Sequence, residues 1–427
     1  MQSSMRYCLV SLLAVASLVL AGCNSDSNDA QIRMLNVSQG YSSLDLYLDS
    51  NKIQSAIASS TISNYSAIAP DTTHTIAITS NAVAVSSALQ SLSESLDQKS
   101  HKTYVAYGDT GHFATMEIAE DQTAPSGSYT SLEVLNTATD AGAVDVYLTS
   151  ASVSLDDASP NFSDVATGSS AAFTSISSGT YRLRITATGS KTDVRLDIAS
   201  VTFNSGQVAS LIVTGTSGGV LVNAVILPQQ GSPTVETNPD ARVRAALGMA
   251  TGSSVTATIG GVSLMSGAPV DTIGDYVLVP VGSQSATLTV DGTAATIASQ
   301  TLTAGSDYTL LFWTNSSGTQ ATLLTDDNQL PNSGYANIRL IHAMSGLNDA
   351  ISLSVDYSPT ATDVALGSAS SYSQVAASTS SQLTVTDAST SASLFSQGSV
   401  TLNSEEVYTL FMFGSSSAST GTLRADR

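Results

Sequence analysis

Gly215-Thr216-Ser217-Gly218-Gly219 sets a serine among glycines, the setting a nucleophilic hydroxyl needs when a tight turn must expose it. A serine attacks only if a histidine within hydrogen-bond reach takes its proton and a carboxylate holds that histidine. The histidines are His74, His101, His112 and His342, and none falls between residues 129 and 228, the unit that holds the loop. The loop joins Leu211-Ile212-Val213 to Val220-Leu221-Val222, where a hairpin turn is required and glycines supply positive φ. It is read as a turn.

Metal chemistry is weighed in the same way. His101 and His112 lie on opposite sides of an extended run at Tyr104–Gly108, His74 precedes another run, and no cysteine joins them, so they are expected on the surface. His342 ends a strand and is expected in the core or on the surface rather than on a ligand. Asp156, Asp157 and Asp164 share one loop, and Asp326, Asp327 and Asn328 share a linker. Calcium takes about six to eight oxygens, and the EF-hand spacing is missing. No cofactor is expected, with structural calcium as the weaker alternative.

Trp313, the one tryptophan, stands in a repeated column with Phe413, Tyr107 and Thr214. Trp313, Phe413 and Tyr107 are therefore a candidate binding face for a sugar ring. Their strands are apolar on both faces, however, which favours a central strand. The second apolar face of such a sheet needs a cover, from a neighbouring module or a partner protein.

The elements that position these residues come from a repeat. Val400-Thr401-Leu402, a polar turn and Val407–Gly414 reappear as Val201–Gly215, as Gln300–Thr314 and, more weakly, as Ser95–Gly108. The pattern predicts one β-hairpin, a short strand and then a long apolar one, written about four times. Each unit opens with an extended run: Ile32–Asn36, Leu132–Asn136, Val243–Leu247 and Ile338–His342. Leu44-Asp45-Leu46-Tyr47-Leu48 and Val144-Asp145-Val146-Tyr147-Leu148 follow in the first two, and a further column holds Ile76–Thr79, Leu183–Thr186, Leu288–Asp291 and Leu383–Thr386. Apolar residues alternate with polar ones in these runs, the mark of half-buried strands. Leu89–Leu96 has leucine spacing suited to a helix, but its register with the other copies favours strand.

About six or seven strands per unit are expected. Breaker-rich linkers at Ala124–Gly127, Pro228–Pro239 and Asn328–Gly334 place modules at 31–121, 129–228, 240–327 and 336–427. The expected fold is all-β, four tandem immunoglobulin-like β-sandwich modules.

The chain has 427 residues, 11% of them charged and 42% hydrophobic, with a formal net charge of −20. Such an acidic protein repels phosphate backbones, so nucleic acid is not an expected partner. Residues 1–23 read as a targeting segment, with an apolar run from Cys8 to Ala21 too short to span a bilayer as a helix. The ending Leu20-Ala21-Gly22-Cys23 resembles the bacterial lipoprotein signal. That resemblance implies recognition of Leu20, Ala21 and Gly22 by the signal peptidase, lipidation of Cys23, and a lipid anchor in the membrane. Asn24 in place of Asp favours, by the same resemblance, the outer membrane of a Gram-negative bacterium. Residues 24–30 would be a tether. With Cys8 removed and Cys23 acylated, no thiol is left for a disulfide.

Ile338-Arg339-Leu340-Ile341-His342-Ala343, Val144-Asp145-Val146-Tyr147 and Tyr408-Thr409-Leu410 together resemble the bacterial "domain of unknown function 4397" family of extracytoplasmic lipoproteins. Thr256 and Ser352 depart from it, standing where the Asp-x-Tyr strand should have Asp. The family implies a β-sandwich and no activity. The expected role is a non-catalytic one, binding an envelope protein or glycan or acting as a spacer. A carbohydrate- or matrix-binding adhesin is the alternative, and a secreted hydrolase is the least favoured reading.

Overall fold

The computed structural model describes residues 28–427. The signal segment, Cys23 and most of the tether lie outside the described residues. Among the described residues the secondary structure is strand throughout, apart from one 3-10 turn at Val85–Ser87. The strands form four tandem sandwiches of two facing sheets, with an added two-stranded ribbon, Gly282–Gln284 with Gln300–Leu302, in module 3 and an added edge strand, Thr234–Glu236, on the first sheet of module 2.

Every module has eight strand positions in the same order. One sheet runs fourth, first, seventh, eighth; the other runs third, second, fifth, sixth. In module 4 the first sheet is Ser373–Ala376, Tyr335–His342, Glu406–Ser415 and Ala418–Ala425, and the second is Ser358–Val364, Ile351–Val355, Ser378–Asp387 and Ser393–Leu402. The first and seventh strands pair in parallel in all four modules, as Ile338 with Tyr408 and Leu340 with Leu410 show in module 4.

Sequence chemistry explains the division between the sheets. The second strands of modules 3 and 4 alternate in burial, so Val255, Ala257 and Ile259 point to the core while Thr256 and Thr258 are half-exposed. Seventh strands do not: Val208–Gly215 is buried at every position but the last. A strand apolar on both faces can be stable only with packing on both sides. Each module owns an inner core, such as Ile338, Leu340, Leu353, Val385, Leu402 and Leu410 in module 4.

Two expectations are corrected. The short strand and the long apolar strand of the repeat do not form a hairpin. Ser393–Leu402 pairs with Ser378–Asp387 in one sheet, while Glu406–Ser415 pairs with Tyr335–His342 in the other. The turn is an arch that crosses the sandwich, and each copy passes through a left-handed residue: Lys99, Gly206, Gly305 or Glu405. An arch and a hairpin both send alternate apolar side chains into one core, so the pattern is the same. The strand count also rises from six or seven to eight. The fourth strand is an edge strand, Ser169–Ser177 in module 2, whose Ser- and Ala-rich sequence carries little apolar signal.

Candidate functional site

The outer face of each first sheet is covered by the neighbouring module. Leu35, Val37, Val105, Tyr107 and Ile118 of module 1 form one cluster with Leu135, Ile212, Val225 and Leu227 of module 2. Ala246, Leu311 and half-buried Trp313 of module 3 do the same with Ile341, Ala343, Phe411 and Phe413 of module 4. Phe411 and Phe413 stack with centroids 6.0 Å apart. Gly248 allows the close approach: a Cβ there would stand 2.4 Å from the Ala343 Cβ. Module 1 thus faces module 2, and module 3 faces module 4.

A charged latch lies within the second pair. Arg339, on the first strand of module 4, donates to Asp326 at the end of the eighth strand of module 3. Reciprocally, Arg244 on the first strand of module 3 donates to Asp426 at the end of module 4, 3.0 Å from Oδ2. Each guanidinium also donates sideways to a threonine of its own sheet, Arg244 to Thr309 at 2.9 Å and Arg339 to Thr409 at 3.0 Å. Those threonines in turn donate to Asp326 and Asp426. A tyrosine ring lies against each guanidinium, Tyr276 4.6 Å from Arg244 and Tyr372 4.7 Å from Arg339.

All four charges are buried. Burial opposes the Arg244 charge, yet Tyr276, Asp426 and Asp326 hold its guanidinium above the ordinary arginine range. Burial likewise opposes the Asp326 carboxylate, but Arg339 and Arg244 hold it below its ordinary value. Arg244 and Asp326 are therefore held in their ionised forms.

In the first pair the latch is half built. Arg33 donates to Thr103 at 2.9 Å and to Glu120 of its own module, with Tyr65 against its guanidinium. Module 2 has Glu133 and Ser210 at the corresponding places, and Ser210 donates to Glu133 at 2.6 Å. Burial pushes the Glu133 carboxyl up. Arg33 instead donates to the Gly231 carbonyl, in the linker that follows module 2, at 2.7 Å. None of these roles was assigned from sequence. The signal was present in Arg33, Arg244 and Arg339 at one place in three opening runs, with Glu133 in the fourth.

Asp45 and Asp145, from the Asp-x-Tyr strands, brace a bulge in the third strand. Asp45 accepts the N–H of Ala56 at 2.8 Å and of Ala82 at 3.1 Å; Asp145 accepts those of Asp164 at 2.8 Å and Gly189 at 3.0 Å. Thr256 and Ser352 do the same for Gly267 and Asp363 through hydroxyls. The braced residues Ala56, Asp164, Gly267 and Asp363 all have positive φ. Burial opposes the Asp45 charge, but the Lys52 ammonium and these N–H groups hold its carboxyl below the usual range.

The residues singled out from sequence do not converge. Phe413 and Tyr107 are buried in the two inter-module clusters and Trp313 packs beside Gly367 while donating to Thr322 at 2.9 Å, so these three rings lie at the seams between modules. Ser217 lies 3.2 Å from Ser306 of module 3, and Gly218 N–H donates to the Gly305 carbonyl at 3.0 Å. The serine loop is a turn and also a joint between modules 2 and 3. Arg427 donates to its Gly219 carbonyl at 2.8 Å, bringing module 4 to the same joint.

His74, His101 and His112 each meet a different carboxylate, Asp49, Asp121 and Asp109. Asp326 is engaged by Arg339 and Asn328 donates to Asp307 at 2.7 Å, so the linker group does not gather on a cation. Among the described residues no cluster of three or more His, Cys, Asp or Glu could hold a metal ion.

Comparison with known proteins bears on the architecture. The family described as "Domain of unknown function (DUF4397)" matches residues 30–147 and 241–348, just over half of the chain. The chain belongs to this family. Each DUF4397 match spans one module and the opening of the module that faces it, and the two matches start 211 residues apart (241 minus 30). The repeat of the DUF4397 match thus follows the face-to-face pairs. No curated protein matches. Among solved structures, one described as "a putative cell adhesion protein from Bacteroides uniformis ATCC 8492" is similar at 11% identity and a TM-score of 0.20, over 48% of this chain and 99% of that one. The Bacillus anthracis TIE protein is similar at 7% identity and a TM-score of 0.13, over 91% of this chain and 69% of that one. Neither likeness carries an argument about fold or function.

Proposed function

We propose that this DUF4397 protein is a lipid-anchored, non-catalytic component of the bacterial cell envelope. Its paired sandwiches act as a stiff spacer that holds a binding surface off the membrane. The observation that supports stiffness most is the reciprocal latch of Arg244 with Asp426 and Arg339 with Asp326, which joins two modules by buried charges. The anchor reading rests on Leu20-Ala21-Gly22-Cys23, with acylation of Cys23 and the outer membrane as destination. The non-catalytic reading is supported by the separation of the histidines onto different carboxylates.

Expression in a Gram-negative host with labelled palmitate tests the anchor. The expected result is an acylated amino-terminal peptide starting at Cys23 and release of the Cys23→Ser variant from the membrane fraction. An unmodified amino terminus contradicts the proposal, and turnover by the purified protein in a broad hydrolase panel contradicts its non-catalytic part.

A further inference from the structure

The most exposed large hydrophobic side chain of the described residues is Tyr357, 86% accessible at the tip of the turn between the second and third strands of module 4. The same turn occurs in modules 1 and 3 with positive φ at both central residues: Asp49 and Ser50, Gly260 and Gly261. Asp356 and Tyr357 have φ of 49° and 65°. This two-residue geometry favours glycine, and a bulky aromatic is among the worst residues for it. Packing does not explain the tyrosine, since it points to solvent. The turn is held by Asp356, whose carboxylate accepts Gln382 N–H at 2.7 Å and Ser381 Oγ–H at 3.0 Å. A strained and exposed aromatic on a latched turn is the kind of outlier from which function is inferred.

Next to the turn that carries Tyr357, the edges of the two sheets leave a cleft of about 350 Å³, lined by Asp356 and Ser358 on either side of the tyrosine but not by Tyr357 itself. Asp356, Ser358, Thr360, Ser373 and Gln374 line it together with apolar Pro359 and Val375. We infer that this cleft and Tyr357 form a binding subsite for a neutral sugar ring of a polysaccharide. Hydroxyls and an amide suit sugar hydroxyls, and the tyrosine face and Pro359 suit the apolar face of the ring. The lining holds no cation, which speaks against an anionic sugar or phosphate. Strand addition by a peptide is disfavoured as well, because Pro359 removes a donor from the edge strand and its neighbour Ser373–Ala376 spans four residues. The inference does not depend on the lipid anchor or on the spacer reading.

The test titrates the full chain, expressed without the leader, with cellohexaose, laminarihexaose, chitohexaose and mannohexaose, followed by calorimetry. One of these four is expected to bind, with Tyr357→Gly weakening it by about tenfold or more and Tyr357→Phe retaining it. Tyr357→Gly should also raise the melting midpoint by a few degrees, since glycine relieves the backbone. Absence of binding by all four sugars overturns the inference. So does unchanged binding in Tyr357→Gly, and so does a lower melting midpoint in that variant, which would mark the tyrosine as structural. Absence of sugar binding would leave acylation of Cys23 unaffected.

Discussion

Arg244 donates to Asp426 at 3.0 Å across the seam between modules 3 and 4, with 182 positions of chain between them. Arg339 and Asp326 repeat the contact with the modules exchanged. Removing one member of a buried pair strands the other charge, at a cost of about 3–5 kcal/mol. Arg339→Ala is therefore expected to lower the stability of this seam by that order, measured by denaturant unfolding. Replacing both partners with apolar residues of similar volume, as in Arg339→Met with Asp326→Leu, should cost far less. Equal loss in the single and double variants would show that the charges contribute only through packing.

His342 provides a pH test. It is buried, its Nε2 lies 3.1 Å from the Asp349 carbonyl and its Nδ1 accepts the Met344 N–H at 3.2 Å. That pattern fits the neutral ring, and burial holds its pKa below the ordinary value. The unfolded chain takes up this proton near pH 6.5 and the folded chain resists it. The contribution of His342 is thus full above about pH 6.5 and is lost as pH falls below it. Asn36 and Asn136 occupy the same place in modules 1 and 2, and likewise accept an N–H two residues on. His342→Asn should keep the fold at neutral pH and flatten the decline of melting midpoint between about pH 6.5 and 5.

The bulge brace predicts a graded series. Asp45→Ala leaves the N–H groups of Ala56 and Ala82 without their acceptor and should cost about 1–3 kcal/mol. Asp45→Thr, the residue that module 3 uses at Thr256, should recover part of that loss. Amide exchange at Ala56 and Ala82 reads the effect directly; protection unchanged in Asp45→Ala would remove the brace from the account.

Close approach at the seam is tested at Gly248. Its added Cβ would fall 2.4 Å from the Ala343 Cβ and 2.5 Å from the Ala343 carbonyl oxygen, so Gly248→Val must push modules 3 and 4 apart. Trp313, half-buried at that seam and the single tryptophan of the chain, reports the result. Its emission should shift to the red and become more accessible to acrylamide. An unchanged spectrum would place the seam elsewhere.

Strands that alternate, such as Val255–Ile259 and Leu383–Thr386, were legible because one face is apolar and buried and the other half-exposed. The doubly apolar run Leu410–Phe413 was legible as a strand needing two covers, and the second cover proved to be the facing module. The arch at Asn403–Glu405 was not legible, since partner choice depends on which sheet accepts the strand and not on its own alternation. The latch was illegible for a related reason. Arg244 and Asp426 reveal themselves as partners only when modules 3 and 4 are placed face to face. Tyr357 was missed because a lone tyrosine among Ser and Asp has no periodicity to mark it; only its backbone angle and exposure do.

The central claim is that the modules are held in facing pairs. Small-angle scattering of the full chain, expressed without its leader, tests this most directly. The account predicts a curve fitted by one rigid arrangement with module 1 on module 2 and module 3 on module 4. A curve that requires four modules swinging independently on their linkers would contradict it.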